Sequence, residues 1–179
     1  MNYIIDLKPH IGAEKTLVIS GGGSEIEGQY ASIDSVFLYN IPEGMLYRYD
    51  PHQHEMLMQY ICEKGCSQII YVAPSQPSFL DYLENNDSPG SVHLALKFSL
   101  SVLLRKHQDC AIRPYIRRQM LVEIFAIEQC KLLMEYFFIS RKIDQGNLKL
   151  KGLVPQMKNG IFKSVFFNGI SYNDLVTLN

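Results

Sequence analysis

Apolar residues occur along this chain in two rhythms: short solid runs closed by turn residues, and longer stretches in which they return every three to four positions. Thr16-Leu17-Val18-Ile19-Ser20 is a solid run that passes straight into Gly21-Gly22-Gly23, the pattern of a strand buried on both faces. Ser35-Val36-Phe37-Leu38-Tyr39 is a second strand, ending at Asn40-Ile41-Pro42-Glu43-Gly44, and Gln68-Ile69-Ile70-Tyr71-Val72 is a third. Between the second and third, Asp50-Pro51 is a helix start, with Asp as cap and Pro at the first helical position, and Gly65 is the stop. Met56, Leu57, Tyr60 and Ile61 form the buried stripe of that helix, with Cys62 also in its core.

The turn-rich stretch Asn85-Asn86-Asp87-Ser88-Pro89-Gly90 separates a short helix from a longer one at about 92–106. A further helix at about 115–141 turns Ile116, Met120, Ile124, Ile127 and Leu132 toward the core. The period then changes to two in Leu148-Lys149-Leu150-Lys151-Gly152, and Asn159-Gly160 with Ile161 to Phe167 predicts a terminal antiparallel hairpin. Strands alternating with helices predict an α/β fold: a mainly parallel sheet of about five strands, flanking helices and an antiparallel terminal strand. Neither a repeat nor a long linker divides residues 1–179, so a single domain is expected.

Composition narrows the functional classes. With 47% apolar and 20% charged residues, a chain of 179 residues can bury one sizeable core. Its 17 basic and 18 acidic residues leave no global field for nucleic acid or an anionic membrane. Arg105, Lys106, Arg113, Arg117 and Arg118 form the one basic cluster, read as solvated helix ends. Met1-Asn2-Tyr3-Ile4-Ile5-Asp6 lacks the features of a signal peptide, and no stretch approaches ~18 uninterrupted apolar residues, so a cytoplasmic protein is expected. Cys62, Cys66, Cys110 and Cys130 are too dispersed for a disulfide framework and are read as reduced.

The order of these features resembles the β-class carbonic anhydrases over roughly residues 15–168. In that family the first strand ends in Cys-x-Asp-Ser-Arg, the second in an Arg-Asn-Ala-Gly-like turn and the third in Gly-His-x-x-Cys-Gly. Here Gly21 stands at the cysteine position, Gly23 at the aspartate, Ser24 at the serine and Glu25 at the arginine. Gly65 to Ala73 resembles the third strand, which places Pro74 at the histidine and Pro77 at the second cysteine, with Ser75 and Gln76 between them. Glu123 to Gln129 resembles the late helix, and Gly146 to Val154 with Asn159-Gly160 the closing strands.

The resemblance implies the fold, and its departures decide the chemistry. The zinc of that family needs three deprotonated thiolate or imidazole donors at about 2.0 to 2.3 Å, with a position left open for water. Glycine and proline side chains offer no donor, and the family's Asp-Arg pair is replaced by Gly23 and Glu25. No cofactor, no metal and no catalytic residue are therefore expected. His107-Gln108-Asp109-Cys110 spells a zinc motif, but it follows a helical pattern where the motif needs a buried strand. His52 and His54 lie roughly 12 to 15 Å along the predicted helix from Cys62 and Cys66, too far to share an ion.

Two functional classes remain. The first is a catalytically inactive carbonic-anhydrase-like protein that binds a small ligand or a protein. Its vacated positions are Gly21, Gly22, Gly23, Ser24, Glu25, Pro74, Ser75, Gln76 and Pro77; there a tight turn filled by neighbouring side chains is the preferred expectation, and backbone N–H groups of Gly22, Gly23 and Ser24 donating to a small anion the other. The alternative is a zinc-dependent carbonate dehydratase or other lyase with non-standard ligands. The resemblance also implies a homodimer, although little chain precedes Thr16 to form the family's amino-terminal helices.

Overall fold

Solid apolar runs become the strands of a six-stranded sheet in the order β2-β1-β3-β4-β5-β6. The computed structural model describes residues 7–21, 30, 33–74, 114–156 and 161–171. The strands are β1 Thr16–Ser20, β2 Val36–Asn40, β3 Gln68–Val72, β4 Lys149–Gln156, β5 Ile161–Phe167 and β6 Ile170–Ser171. β1 runs parallel to β2 and β3, and β3 parallel to β4, whereas β4, β5 and β6 are antiparallel. The mainly parallel α/β sheet agrees with expectation; β6, a two-residue strand after the Asn168-Gly169 turn, is an addition to the expected five.

All five residues of β1 and of β3 are buried because both sheet faces are covered. On one face Leu17, Ile19, Ile69, Tyr71 and Leu150 pack with Leu57, Ile61 and Phe125. On the other, Val18, Val36, Ile70, Val72 and Leu153 pack with Leu7, Tyr30 and Phe162. Successive residues of a strand point to opposite faces, and the two clusters divide along that alternation.

Helix α1 spans Pro51–Met58, and the Asp50 carboxylate caps it by accepting from the His52 and Gln53 amides at 2.9 and 3.0 Å. A cap of this kind contributes ~1 kcal/mol. One π turn, Gln59–Glu63, extends the helix, and Gly65, at φ +72°, ends it. Leu57 and Ile61 are buried as expected, whereas Met56 and Tyr60 are partly buried. Cys62 is exposed and not a core residue: one position past Ile61, the backbone has turned it away from the buried face.

The single helix expected at about 115–141 is two, α2 Pro114–Glu135 and α3 Phe137–Asp144. Tyr136 between them is extended, at φ −71° and ψ 113°, and its carbonyl accepts from the Ile139 and Ser140 amides to restart the helix. Its ring packs on His54 and Phe138, a tertiary contact that no glycine or proline announces. Ile124 and Ile127 are buried on α2, with Met120 and Leu132 half-buried. The turn at Asn85 to Gly90, the helices on either side of it and the Asn159-Gly160 turn lie outside the described residues.

Candidate functional site

From β1 the chain crosses to β2 on one side and then returns to β3 on the other, so the strand order reverses beside β1. Ligands of open α/β sheets bind outside the carboxyl ends of the strands at such a point. Ser20 pairs there with both Asn40 and Val72, and its hydroxyl meets Asn40 Oδ1 at 2.5 Å. Gly21 follows directly on β1, and Ala73 and Pro74 follow on β3. The sheet thus brings the first and second vacated positions together.

Between them lies a third residue. A side-chain carbon at position 21 would fall 2.6 Å from both the Cα and the N of Gly44, and 3.0 Å from Pro74 Cδ. Carbon atoms in contact keep about 3.5 to 4.0 Å, so the space for any side chain at position 21 is already occupied by backbone. Gly44 belongs to the tight turn Pro42–Gly44 that follows β2, and it has φ +72°, a conformation that favours glycine. A carbon added to Gly44 would in turn lie 2.8 Å from Pro74 Cδ and 3.1 Å from the Tyr71 hydroxyl. Zinc does not fit the residues present: neither Gly21 nor Pro74 carries a donor, and the Gly44 backbone stands where a ligand side chain would begin.

Gly44 is held from several sides. The Tyr71 hydroxyl, buried under the end of β3, donates to the Gly44 carbonyl at 2.6 Å. Burial, and then the neighbouring Cys130, push the Tyr71 hydroxyl well above its ordinary value, so it remains a donor. The Ile41 amide donates to Ser20 O at 2.9 Å, and the Gly44 and Met45 amides close the turn onto Ile41 O and Pro42 O. Farther along, Gln129 Oε1 accepts from the Leu46 amide at 2.7 Å and Gln53 Oε1 from the Tyr47 amide at 2.9 Å.

An aromatic cluster joins α1 to the start of α3. His54, Tyr136 and Phe138 have ring centres within 5.8 Å of one another. Tyr136 Oη is buried with no hydrogen-bond partner among the described residues. Burial, then Asp50, then Tyr39 and Glu135 raise its ionisation above the usual range. Tyr39 is raised by burial, then by Asp50 and Tyr60.

Of the expected site residues, the structure places Gly21 and Pro74 together; Gly22, Gly23, Ser24, Glu25, Ser75, Gln76 and Pro77 lie outside the described residues, as does His107 to Cys110. His54 packs in the aromatic cluster, Cys62 Sγ lies 3.9 Å from Met58 Sδ, and Cys66 is buried beyond the π turn. Among the described residues no group of three His, Cys, Asp or Glu side chains is placed to hold a metal ion. Gly44, Tyr71, Gln53 and Gln129 escaped the sequence reading. Gly44 was visible only as a strand-ending turn, and the other three only as members of a buried strand or a helix.

Comparison with known proteins places the fold. No family model matches the chain, and no curated protein matches it. Solved structures do. The wild-type β-carbonic anhydrase CafD of Aspergillus fumigatus superposes with a TM-score of 0.65 at 17% identity, covering 86% of this chain and 90% of that one. A tetrameric β-carbonic anhydrase of Sordaria macrospora gives 0.67 at 16% identity, over 88% and 83% of the two chains. The Coccomyxa β-carbonic anhydrase in complex with acetazolamide gives 0.62 at 14% identity, over 86% and 72%. The fold is that of the β-carbonic anhydrases.

Proposed function

We propose that this chain, a carbonic-anhydrase-like protein by fold, is a pseudoenzyme: it holds no zinc, hydrates no carbon dioxide, and serves as a small-ligand or protein-binding module. The observation that carries the reading is the contact of Gly21, Gly44 and Pro74. A zinc lyase of this fold needs donors projecting from the ends of β1 and β3 and an open position for water. Here neither Gly21 nor Pro74 carries a donor, and a backbone turn fills the space at the first of them. The reading includes a small anion as ligand of the vacated positions Gly21 to Glu25 and Pro74 to Pro77, with the backbone N–H groups of Gly22, Gly23 and Ser24 as its donors.

The proposal includes self-association as a homodimer and a cytoplasmic location. The Sordaria macrospora enzymes of this fold are tetrameric, which supports self-association. No described helix is long and apolar enough to cross a membrane.

Elemental analysis of untagged protein, expressed with added zinc and purified without chelator, tests the reading together with a carbon dioxide hydration assay. Zinc near zero per chain and hydration at the uncatalysed rate are expected. About one zinc per chain with hydration above background overturns it and leaves the lyase with non-standard ligands. Titration with bicarbonate and with phosphate tests the anion surface, and light scattering in solution tests the dimer.

A further inference from the structure

We propose that Tyr71, Gln129 and Gln53 form a latch that fixes residues 44–47, so that Gly44 stays against Gly21 at the end of β1 and three dedicated polar side chains keep backbone in the space of a side chain at position 21. This inference rests on the lost-site reading and deepens it by naming what keeps the site closed.

The three side chains come from three separate elements: Tyr71 from β3, Gln129 from α2 and Gln53 from α1. All are buried, with exposures of 0%, 1% and 5%. Burying a phenol hydroxyl or a primary amide is unfavourable unless it finds a partner. Each of these three finds one on the same short stretch of backbone. Tyr71 donates to Gly44 O at 2.6 Å, while Gln129 and Gln53 accept from Leu46 N at 2.7 Å and Tyr47 N at 2.9 Å.

Apolar collapse into an empty site would need none of these bonds. Met45 and Leu46 do supply apolar contacts within the core, but the polar bonds fix the position of the backbone itself. A glycine at φ +72°, with Pro74 Cδ and Gly21 Cα close around it, is the only residue that can present its carbonyl to Tyr71 here without strain. Tyr71 is thus a positioning residue that acts through Gly44.

Amide hydrogen exchange on the full chain tests the latch, read at Gly44, Met45, Leu46 and Tyr47. In Tyr71→Phe, which keeps the ring and removes the hydroxyl, the four amides are expected to exchange together roughly ten-fold faster or more, while Ile69 and Ile70 in β3 keep their native rates. Unchanged rates at 44–47, or equal acceleration in the turn and the strand, overturn the latch. Gln129→Met, which removes the acceptor at similar length, is read in the same way and decides the matter if Tyr71→Phe does not fold.

A double-mutant cycle supplies the reading that a purely packing role for Tyr71 would not move. Gly21→Ala is expected to lower the urea midpoint more in the native background than in Tyr71→Phe, because a released turn can give way to the added carbon. Additive shifts overturn the proposal. The two readings fail separately. Zinc bound to the native chain removes the pseudoenzyme and leaves the latch to its exchange data; a zinc-free chain whose turn is unaffected by Tyr71→Phe removes the latch alone.

Discussion

Gln129, in the last third of α2, accepts a hydrogen bond from the backbone amide of Leu46 at 2.7 Å, and both residues are only 1% exposed. Their positions are 83 residues apart in sequence. Gln129→Leu removes the acceptor and leaves a buried N–H without a partner, a loss of about 1 to 3 kcal/mol. Urea denaturation followed by circular dichroism is expected to show a lower midpoint with an unchanged slope.

Gly152 in β4 faces Cys130 on α2 so closely that an added carbon would lie 2.8 Å from Cys130 Sγ and 3.0 Å from Phe166 Cβ. Overpacking of this kind costs about 1 to 3 kcal/mol. Gly152→Ala is expected to destabilise by that order, and Cys130→Ala to recover part of the loss by opening the helix side of the contact. The double variant should therefore be more stable than the sum of the single effects predicts, and thermal melts of the four proteins measure the difference.

Tyr71 and Cys130 give stability an alkaline limit. Burial raises both groups above their ordinary values of 10.0 and 9.0. As pH rises, the unfolded chain loses these protons before the folded one does, so the native state binds more protons and stability falls. The contribution is full below about pH 9 and declines above it, first through Cys130 and then through Tyr71. Each group adds a slope of about 1.4 kcal/mol per pH unit while it is ionised only in the unfolded chain. Urea midpoints measured from neutral to strongly alkaline pH are expected to drop beyond pH 9, and Tyr71→Phe should flatten the later part.

The described cysteines differ in access. Cys62 is exposed on the π turn, whereas Cys66 and Cys130 are buried. Burial raises the Cys66 thiol, partly opposed by Lys15 and Lys64. A thiol reagent with peptide mapping is expected to modify Cys62 in the native protein and to reach Cys66 and Cys130 only on unfolding. Labelling of Cys130 at the rate of Cys62 would contradict the packing of α2 on β4.

Much of the fold was legible in the sequence for one physical reason: strands buried on both faces must be apolar throughout. Thr16–Ser20 and Gln68–Val72 matched their expected limits, and Val36–Asn40 was shifted by one residue at each end. Asp50-Pro51 and Gly65 marked the α1 region because capping and left-handed backbone depend on the residues themselves. The break at Tyr136 left no such mark, since its extended backbone is accompanied by contacts with His54 and Phe138 rather than by a residue that favours it. Cys62 was misplaced because an apolar residue one step beyond a buried position reads as core until the turn of the helix is known.

The sequence by itself determined that the ends of β1 and β3 carry no metal donor at Gly21 and Pro74, because a side chain without a lone pair stays without one in any fold. Only the tertiary structure decided what occupies the space they leave. That outcome depends on residues 21, 44, 71 and 74 converging from three segments, on the positive φ of Gly44, and on bonds from Tyr71, Gln129 and Gln53. Contacts set by chain topology and held to within tenths of an ångström have no counterpart in local composition or periodicity.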